Sequence, residues 1–402
     1  MRENPQGLEL LLLIHVINYS WLFKSYVKMF ISRGQYAWVT KKTTVSKQRY
    51  NQNFLIKTSL SKQKQFYTTD HKNDKLNPWF VTGLIDSEGC FSINIYQAKA
   101  YITGWTIKPS FKLTVHKKDL ALLEKLQNFF GVGKIYKQRA DSLEYRIQNL
   151  KELGILISHL DKYPLFTQKQ SDYKLFRKAI YLMLDKNHLS MNGLKEIISI
   201  KATINWGLSD TIKMAFPEII PIDRPNISKP AFINGYWLSG FISGDGCFLC
   251  TILKSKSKLG ETVSLRFVIT QHLKDEELLR NIIDYFGCGN LYKKNERVFD
   301  LVVSKISDIS NIIIPFLIKY PIDGEKYQDF LSFFKIVEII NNKAHLTKEG
   351  LDQIHSIQPQ VDGGRDNLSS DCSVNLSIPA DLDKDFSENL TTNSLQSSGR
   401  KN

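Results

Sequence analysis

The sequence predicts an α+β protein made of two pseudo-symmetric αββαββα repeats, each carrying an antiparallel sheet with one polar face. Three observations predict it. Two nonapeptides, Val81-Thr-Gly-Leu-Ile-Asp-Ser-Glu88-Gly89 and Leu238-Ser-Gly-Phe-Ile-Ser-Gly-Asp245-Gly246, recur 157 residues apart. At that offset Asn77 also pairs with Asn234, Lys169 with Lys326, and Lys162-Tyr-Pro164 with Lys319-Tyr-Pro321. Both halves then run through the same order of helical and strand-like periodicities. Between the anchors, His116 to Asp119 and Gly131 to Tyr136 match His272 to Asp275 and Gly287 to Tyr292 at an offset of 156. One residue is therefore lost and later regained, as differences in turn length would produce.

The elements follow in order. Asn77 and Asn234 cap helix starts, and Pro78 suits a first helical position. Gly89 and Gly246 end those helices, as glycine commonly does. Period-two alternation comes next, with Phe91, Ile93 and Ile95 inward and Cys90, Ser92, Asn94 and Tyr96 outward. The returning strand sets Ile107, Phe111, Leu113 and Val115 against Thr106, Lys108, Ser110, Lys112 and Thr114. The second repeat places Phe248, Cys250, Ile252, Val263, Leu265, Phe267 and Ile269 inward, and Thr262, Ser264 and Arg266 outward. Helices are predicted from Asp119 to Phe130 and Asp275 to Phe286, then strands near 133–138, 143–149, 289–294 and 298–304. Helices near 171–186 and 326–342 close the units. The chain thus divides into an N-terminal extension (1–75), a first repeat (76–200), a Pro-containing linker (201–234), a second repeat (235–357) and a polar tail (358–402). That tail has too little apolar surface to fold.

Charge and cysteine usage narrow the function. The net charge is +14, and four Lys/Arg against seven Asp/Glu in residues 361–402 leave +17 on residues 1–360. Such an excess favours a polyanion as partner. Five cysteines at irregular spacing are not a disulfide framework. Cys247 and Cys250 form a C-x-x-C with no second pair to complete a zinc site, and on a strand they would point to opposite faces, which argues against a metal site there. The apolar stretch from Leu8 to Phe23 is short for a membrane span and is broken by His15, Asn18 and Ser20. The basic first 75 residues fit a transit peptide or a fused upstream reading frame equally well.

The nonapeptides carry the chemistry. Gly83 with Ser87, and Gly240 with Gly244, are small residues at i,i+4 spacing that let two helix backbones approach closely. Glu88 and Asp245 would then meet at two helix C-termini, where the macrodipole already disfavours negative charge. Two such carboxylates need divalent cations, and hard oxygen ligands suit Mg²⁺. Paired acids on a pseudo-two-fold axis are the geometry of a metal-dependent phosphodiester cutter.

These nonapeptides resemble the LAGLIDADG motif of homing endonucleases, in the single-chain form with two motifs. Lys162-Tyr-Pro-Leu165 with Thr167-Gln-Lys169, Ile200 to Asp210, Ala215-Phe-Pro-Glu218 and His345 to Leu351 are similar to the branch encoded in fungal mitochondrial introns. The resemblance spans roughly residues 76–357. It implies a monomeric, mitochondrial enzyme making a staggered double-strand cut in a long, asymmetric DNA site, with no membrane association. It also implies two or three divalent ions at Glu88 and Asp245, and Lys169 and Lys326 near the scissile phosphates. Asp86 has Ser243 as its counterpart and is therefore expected to pack or cap. His116, His188, His272 and His345 are read as structural or capping residues. The groove-facing positions would be Ser92, Asn94, Tyr96, Lys108, Lys112, Lys134, Gln138 and Arg146, and in the second repeat Thr251, Ser264, Arg266, Asn290, Lys294 and Ser304. The alternative implied by the same family is a splicing cofactor (a maturase) that binds intron RNA on this fold.

Overall fold

A computed structural model of the protein describes residues 75–227, 230 and 232–361, all within one compact unit. Residues 1–74, with the stretch from Leu8 to Phe23, and the tail beyond Val361, with Cys372, lie outside the described residues.

The first repeat contains α1 (Pro78–Glu88), β1 (Gly89–Gln97), β2 (Trp105–His116), α2 (Leu120–Phe130), β3 (Lys134–Arg139), β4 (Ser142–Ile147), α3 (Leu150–Lys162), α4 (Lys169–Leu184) and α5 (Met191–Thr203). A short α6 (Asp210–Ala215) lies in the connection to the second repeat. That repeat comprises α7 (Gly235–Asp245), β5 (Gly246–Lys254), β6 (Glu261–His272), α8 (Glu276–Phe286), β7 (Asn290–Asn295), β8 (Val298–Val303), α9 (Ile314–Lys319), α10 (Lys326–Asn341) and α11 (Lys348–Val361). The αββαββ order recurs in both halves. Each then continues through three helices, two of which the periodicity did not separate from loops. Helix α11 runs to Val361, past the point where the composition turns polar.

Each sheet is antiparallel, ordered β1-β2-β4-β3 and β5-β6-β8-β7. Alternation decides which face is covered. Phe91, Ile93, Phe111, Leu113, Tyr145 and Ile147 are buried in the first sheet, as are Phe248, Cys250, Leu265, Phe267, Ile269 and Leu301 in the second. Helices cover that face with equivalent aromatic clusters. Phe91 contacts Phe111, Tyr173 and Phe176 at 5.4–5.6 Å between ring centroids. Its counterpart Phe248 contacts Phe267, Phe330 and Phe333 at 5.3–5.8 Å.

The lost residue is in a turn. Residues 98–104 join β1 to β2, whereas residues 255–260, one fewer, join β5 to β6. Its recovery is not in a turn. The helical stretch leading into α9 contains a π turn at Ile309–Ile313, where the equivalent α3 is regular. A π turn inserts one residue without ending the helix, which restores the 157-residue offset.

Candidate active site

Helices α1 and α7 pack against each other, one from each repeat. Every residue of α1 from Phe80 to Asp86 is buried, and so is α7 from Trp237 to Ile242. The glycines set the separation. A Cβ at Gly83 would overlap the carbonyl of Trp237, and one at Gly240 would overlap the carbonyl of Phe80. At Gly244 it would run into the Ser87 side chain. The helices end differently from expectation. Gly89 and Gly246 are extended (φ −73° and −75°), already the first strand residues, rather than left-handed caps. They are glycines because a Cβ would press on Ile85 O at 2.6 Å and on Ile242 O at 2.7 Å. Left-handed glycine caps occur instead after α2 and α8, at Gly131 and Gly287.

This packing brings Glu88 and Asp245, both half-buried, to one place at the two helix ends. Burial, followed by the charge of Glu88, pushes the Asp245 carboxyl up to about 7, against the opposing charges of Lys169 and Lys326. Gln271 Nε2 donates to Asp245 Oδ2 at 2.6 Å. Gln271 was missed in the sequence. Its signal is a polar residue at an inward position of the Leu265-Phe267-Ile269 alternation.

Lys169 and Lys326 converge on the same helix ends. Lys169 Nζ donates to Ile85 O (3.2 Å) and Ser87 O (2.9 Å). Lys326 Nζ donates to Gly244 O (2.6 Å) and to Gly246 O. Each ammonium therefore caps the negative end of the motif helix of its own repeat, beside the acids, which offsets the macrodipole there. Among the described residues, no group of three or more His, Cys, Asp or Glu side chains is placed to hold an ion. The arrangement still fits a hard divalent cation. Asp245 is a desolvated carboxyl held up by a second carboxyl, and a cation would relieve both penalties, with its remaining ligands supplied by phosphate or water.

Asp86 stands apart from this chemistry. It is buried, and burial raises its pKa. Phe166 N–H (2.8 Å), Thr167 N–H (3.2 Å), Thr167 Oγ1 (2.6 Å) and Trp237 Nε1 (2.8 Å) all donate to it. Its counterpart Ser243 accepts only from Asp323 N–H, at 3.2 Å, among these equivalent donors. His116 and His272 each accept a backbone N–H at a turn start, from Lys118 and Lys274 at 3.2 Å.

The two polar sheet faces are not alike. Across the first, Cys90, Lys112, Arg146 and Lys134 stand in register. Across the second, the equivalent row reads Cys247, Val268, Val302 and Asn290. Asn94 opposes Lys108, Thr251 opposes Ser264, and Arg266 opposes Leu249. Tyr96, Lys108, Lys134, Asn290 and Lys294 are exposed; Ser92, Asn94, Lys112, Arg146, Thr251, Ser264 and Arg266 are half-buried. Gln138 and Lys294 fall at bulges, where β3 and β7 shift register, and this brings Arg139 opposite Ser142. Ser304 follows the last residue of β8. Arg146 is tied to the buried Glu144 and stacks over Tyr136 at 4.8 Å. Glu144, the lone acid of the Ser-Leu-Glu-Tyr-Arg-Ile strand, was not singled out from the sequence.

Comparison with known proteins agrees with this architecture. The LAGLIDADG endonuclease family model matches residues 81–180 and 238–337. "Probable intron-encoded endonuclease 3" of Neurospora crassa is 41% identical over 295 residues, covering 72% of this chain and 55% of that protein. The chain thus spans little more than half the length of that curated relative. The structure of I-SmaMI bound to uncleaved DNA target in the presence of calcium ions superposes with a TM-score of 0.71 at 43% identity. It covers 72% of this chain and 100% of the solved one. The structure of I-SmaMI bound to cleaved DNA gives 0.70 at 44% identity, covering 71% and 97%. With two motif helices packed closely at their glycines and a four-stranded antiparallel sheet in each half, this chain belongs to the LAGLIDADG endonuclease family.

Proposed function

We propose that the chain is a site-specific DNA endonuclease that makes a staggered double-strand cut in a long asymmetric target, acting as a monomer with Mg²⁺. One observation carries this reading: Glu88 and Asp245 meet on the α1–α7 interface, with Lys169 and Lys326 symmetrically disposed beside them. Mg²⁺ held by the two carboxylates would neutralise phosphate charge and supply an activated water. The protein's own part is to hold the acids together, desolvate them and set two ammonium groups next to them. I-SmaMI, a relative over most of the described residues, has been captured on uncleaved and cleaved DNA, which supports double-stranded DNA as the substrate. The family resemblance adds an origin in a mitochondrial intron and action in that compartment. Incubation of the full chain with a library of intron-insertion sequences and Mg²⁺, read by end mapping, tests the proposal. Recovery of one long site with a fixed stagger is expected, and absence of any cut site would overturn it.

Two further outcomes follow. Arg266, half-buried on the polar face of β6, can donate two bonds to guanine in the major groove. Arg266→Ala is expected to weaken binding by roughly 1–3 kcal/mol and relax selectivity at one base pair. Equal weakening on every DNA sequence would make it a phosphate contact instead. The second outcome concerns pH. With its carboxyl pushed up to about 7, Asp245 holds a proton below that pH, and a cation must displace it. The Mg²⁺ concentration for half-maximal cleavage should therefore rise as pH falls through 7, by up to about tenfold per unit, and level off above. A requirement independent of pH between 5.5 and 8.5 would contradict this role for Asp245.

A further inference from the structure

Lys169 and Lys326 are the first residues of α4 and α10, so their placement depends on how those helices begin. The backbone just ahead of each lysine is held from across the repeat boundary. Gln168 N–H donates to Asp275 Oδ1 at 2.7 Å, and Glu325 N–H donates to Asp119 Oδ1 at 2.7 Å. Asp119 and Asp275 occupy equivalent positions at the starts of α2 and α8, where an aspartate ordinarily caps its own helix. Neither caps its own helix here. Both use the acceptor on the opposite repeat instead.

We propose that Asp119 and Asp275 are positioning residues, each registering the lysine of the opposite repeat against the acids, so that each cutting centre depends on both repeats. This rests on the reading that the two lysines act beside the scissile phosphates. The dependence is unequal. The turn before Lys169 is also gripped by Asp86 through Phe166 and Thr167. The turn before Lys326 has Ser243 in that place, with one bond of 3.2 Å, and its Asp323 is paired with Lys125 of the first repeat at 2.6 Å. It has Gly324 in the left-handed region (φ +82°), where a Cβ would crowd Asp119. The Lys326 side therefore leans more heavily on the opposite repeat, through Asp119 and Lys125.

The test is strand-resolved cleavage by the full chain of a duplex carrying its mapped target, each strand labelled separately, with Mg²⁺. Asp119→Ala should slow the cut on one strand roughly tenfold or more and on the other less than about threefold, since small displacements of a positioned group cost rate steeply. Asp275→Ala should bias the opposite strand, by a smaller factor. Binding to the same duplex in Ca²⁺ should be unchanged for both. Asp119→Asn keeps the Oδ1 acceptor and should restore the wild-type strand ratio, which a role for the charge alone would not. Should Asp119→Ala fail to fold, Gly324→Ala pushes the same carboxylate off the turn and should give the same bias. Equal slowing of both strands, or bias of the same strand by both aspartate variants, overturns the inference while leaving the endonuclease reading intact. A wild-type chain that cuts no target overturns both.

Discussion

Glu88→Gln and Asp245→Asn are each expected to abolish double-strand cleavage, by about three orders of magnitude or more, because each would remove a charged ligand from the proposed cation site. Affinity for the target in Ca²⁺ should survive or rise. The charge of Glu88 already disfavours ionisation of Asp245, and removing either charge relieves that repulsion. The strands need not suffer equally, so slow nicking of one is compatible with loss of the double-strand cut. Asp86→Asn separates chemistry from stability. All four partners of Asp86 are donors, so an amide would set an N–H₂ group against them. The cost should be on the order of 1–3 kcal/mol in unfolding free energy, with a far milder loss of per-molecule cleavage than either acid variant, confined to the strand served by Lys169, whose turn Asp86 holds. Full cleavage by Glu88→Gln or Asp245→Asn in Mg²⁺ would remove these residues from the mechanism. Collapse of the rate in well-folded Asp86→Asn would move the chemistry to Asp86.

Gly83→Val and Gly240→Val should destabilise the whole described unit by about 3 kcal/mol or more, because the added atoms meet backbone rather than yielding side chains. The helices would have to separate, and the acids with them, so cleavage should fall together with stability. Gly154 supplies the control. It lies within α3 and nothing stands within 4 Å of where its Cβ would be. Gly154→Ala should therefore leave stability unchanged or raise it by roughly 0.5–1 kcal/mol, from helix preference alone. Urea unfolding midpoints decide the matter. A Gly83→Val protein as stable as wild type would show that α1 and α7 do not pack in this manner.

Much of this was legible from residues that act on their chain neighbours. Asn77 and Asn234 accept N–H groups two residues ahead, at 2.9 Å from Trp79 and Tyr236. Period-two alternation puts Phe91 and Phe248 inward whatever else the chain does. The nonapeptides stand out because small residues four apart leave no side-chain bulk along one helix stripe. The placement of Arg146 was less legible. Its strand position was visible, but its tie to Glu144 depends on rotamers that only a formed sheet decides.

The sequence by itself determined the repeat, the order of its strands and helices, the close approach of the motif helices and the pairing of Glu88 with Asp245, because periodicity, capping and small-residue spacing are local properties. Only the tertiary structure decided what those local signals serve. Asp119 and Asp275 read as helix starts, yet their acceptors are taken by N–H groups 206 and 107 residues away. Gln271 reaches Asp245 from a strand, and the lysines turn back onto the ends of their motif helices. Hydrogen-bonding capacity is written in a residue's chemistry. Its partner is chosen by which turns the α1–α7 contact brings together, and in a pseudo-symmetric protein that choice can cross from one repeat to the other without any trace in local pattern.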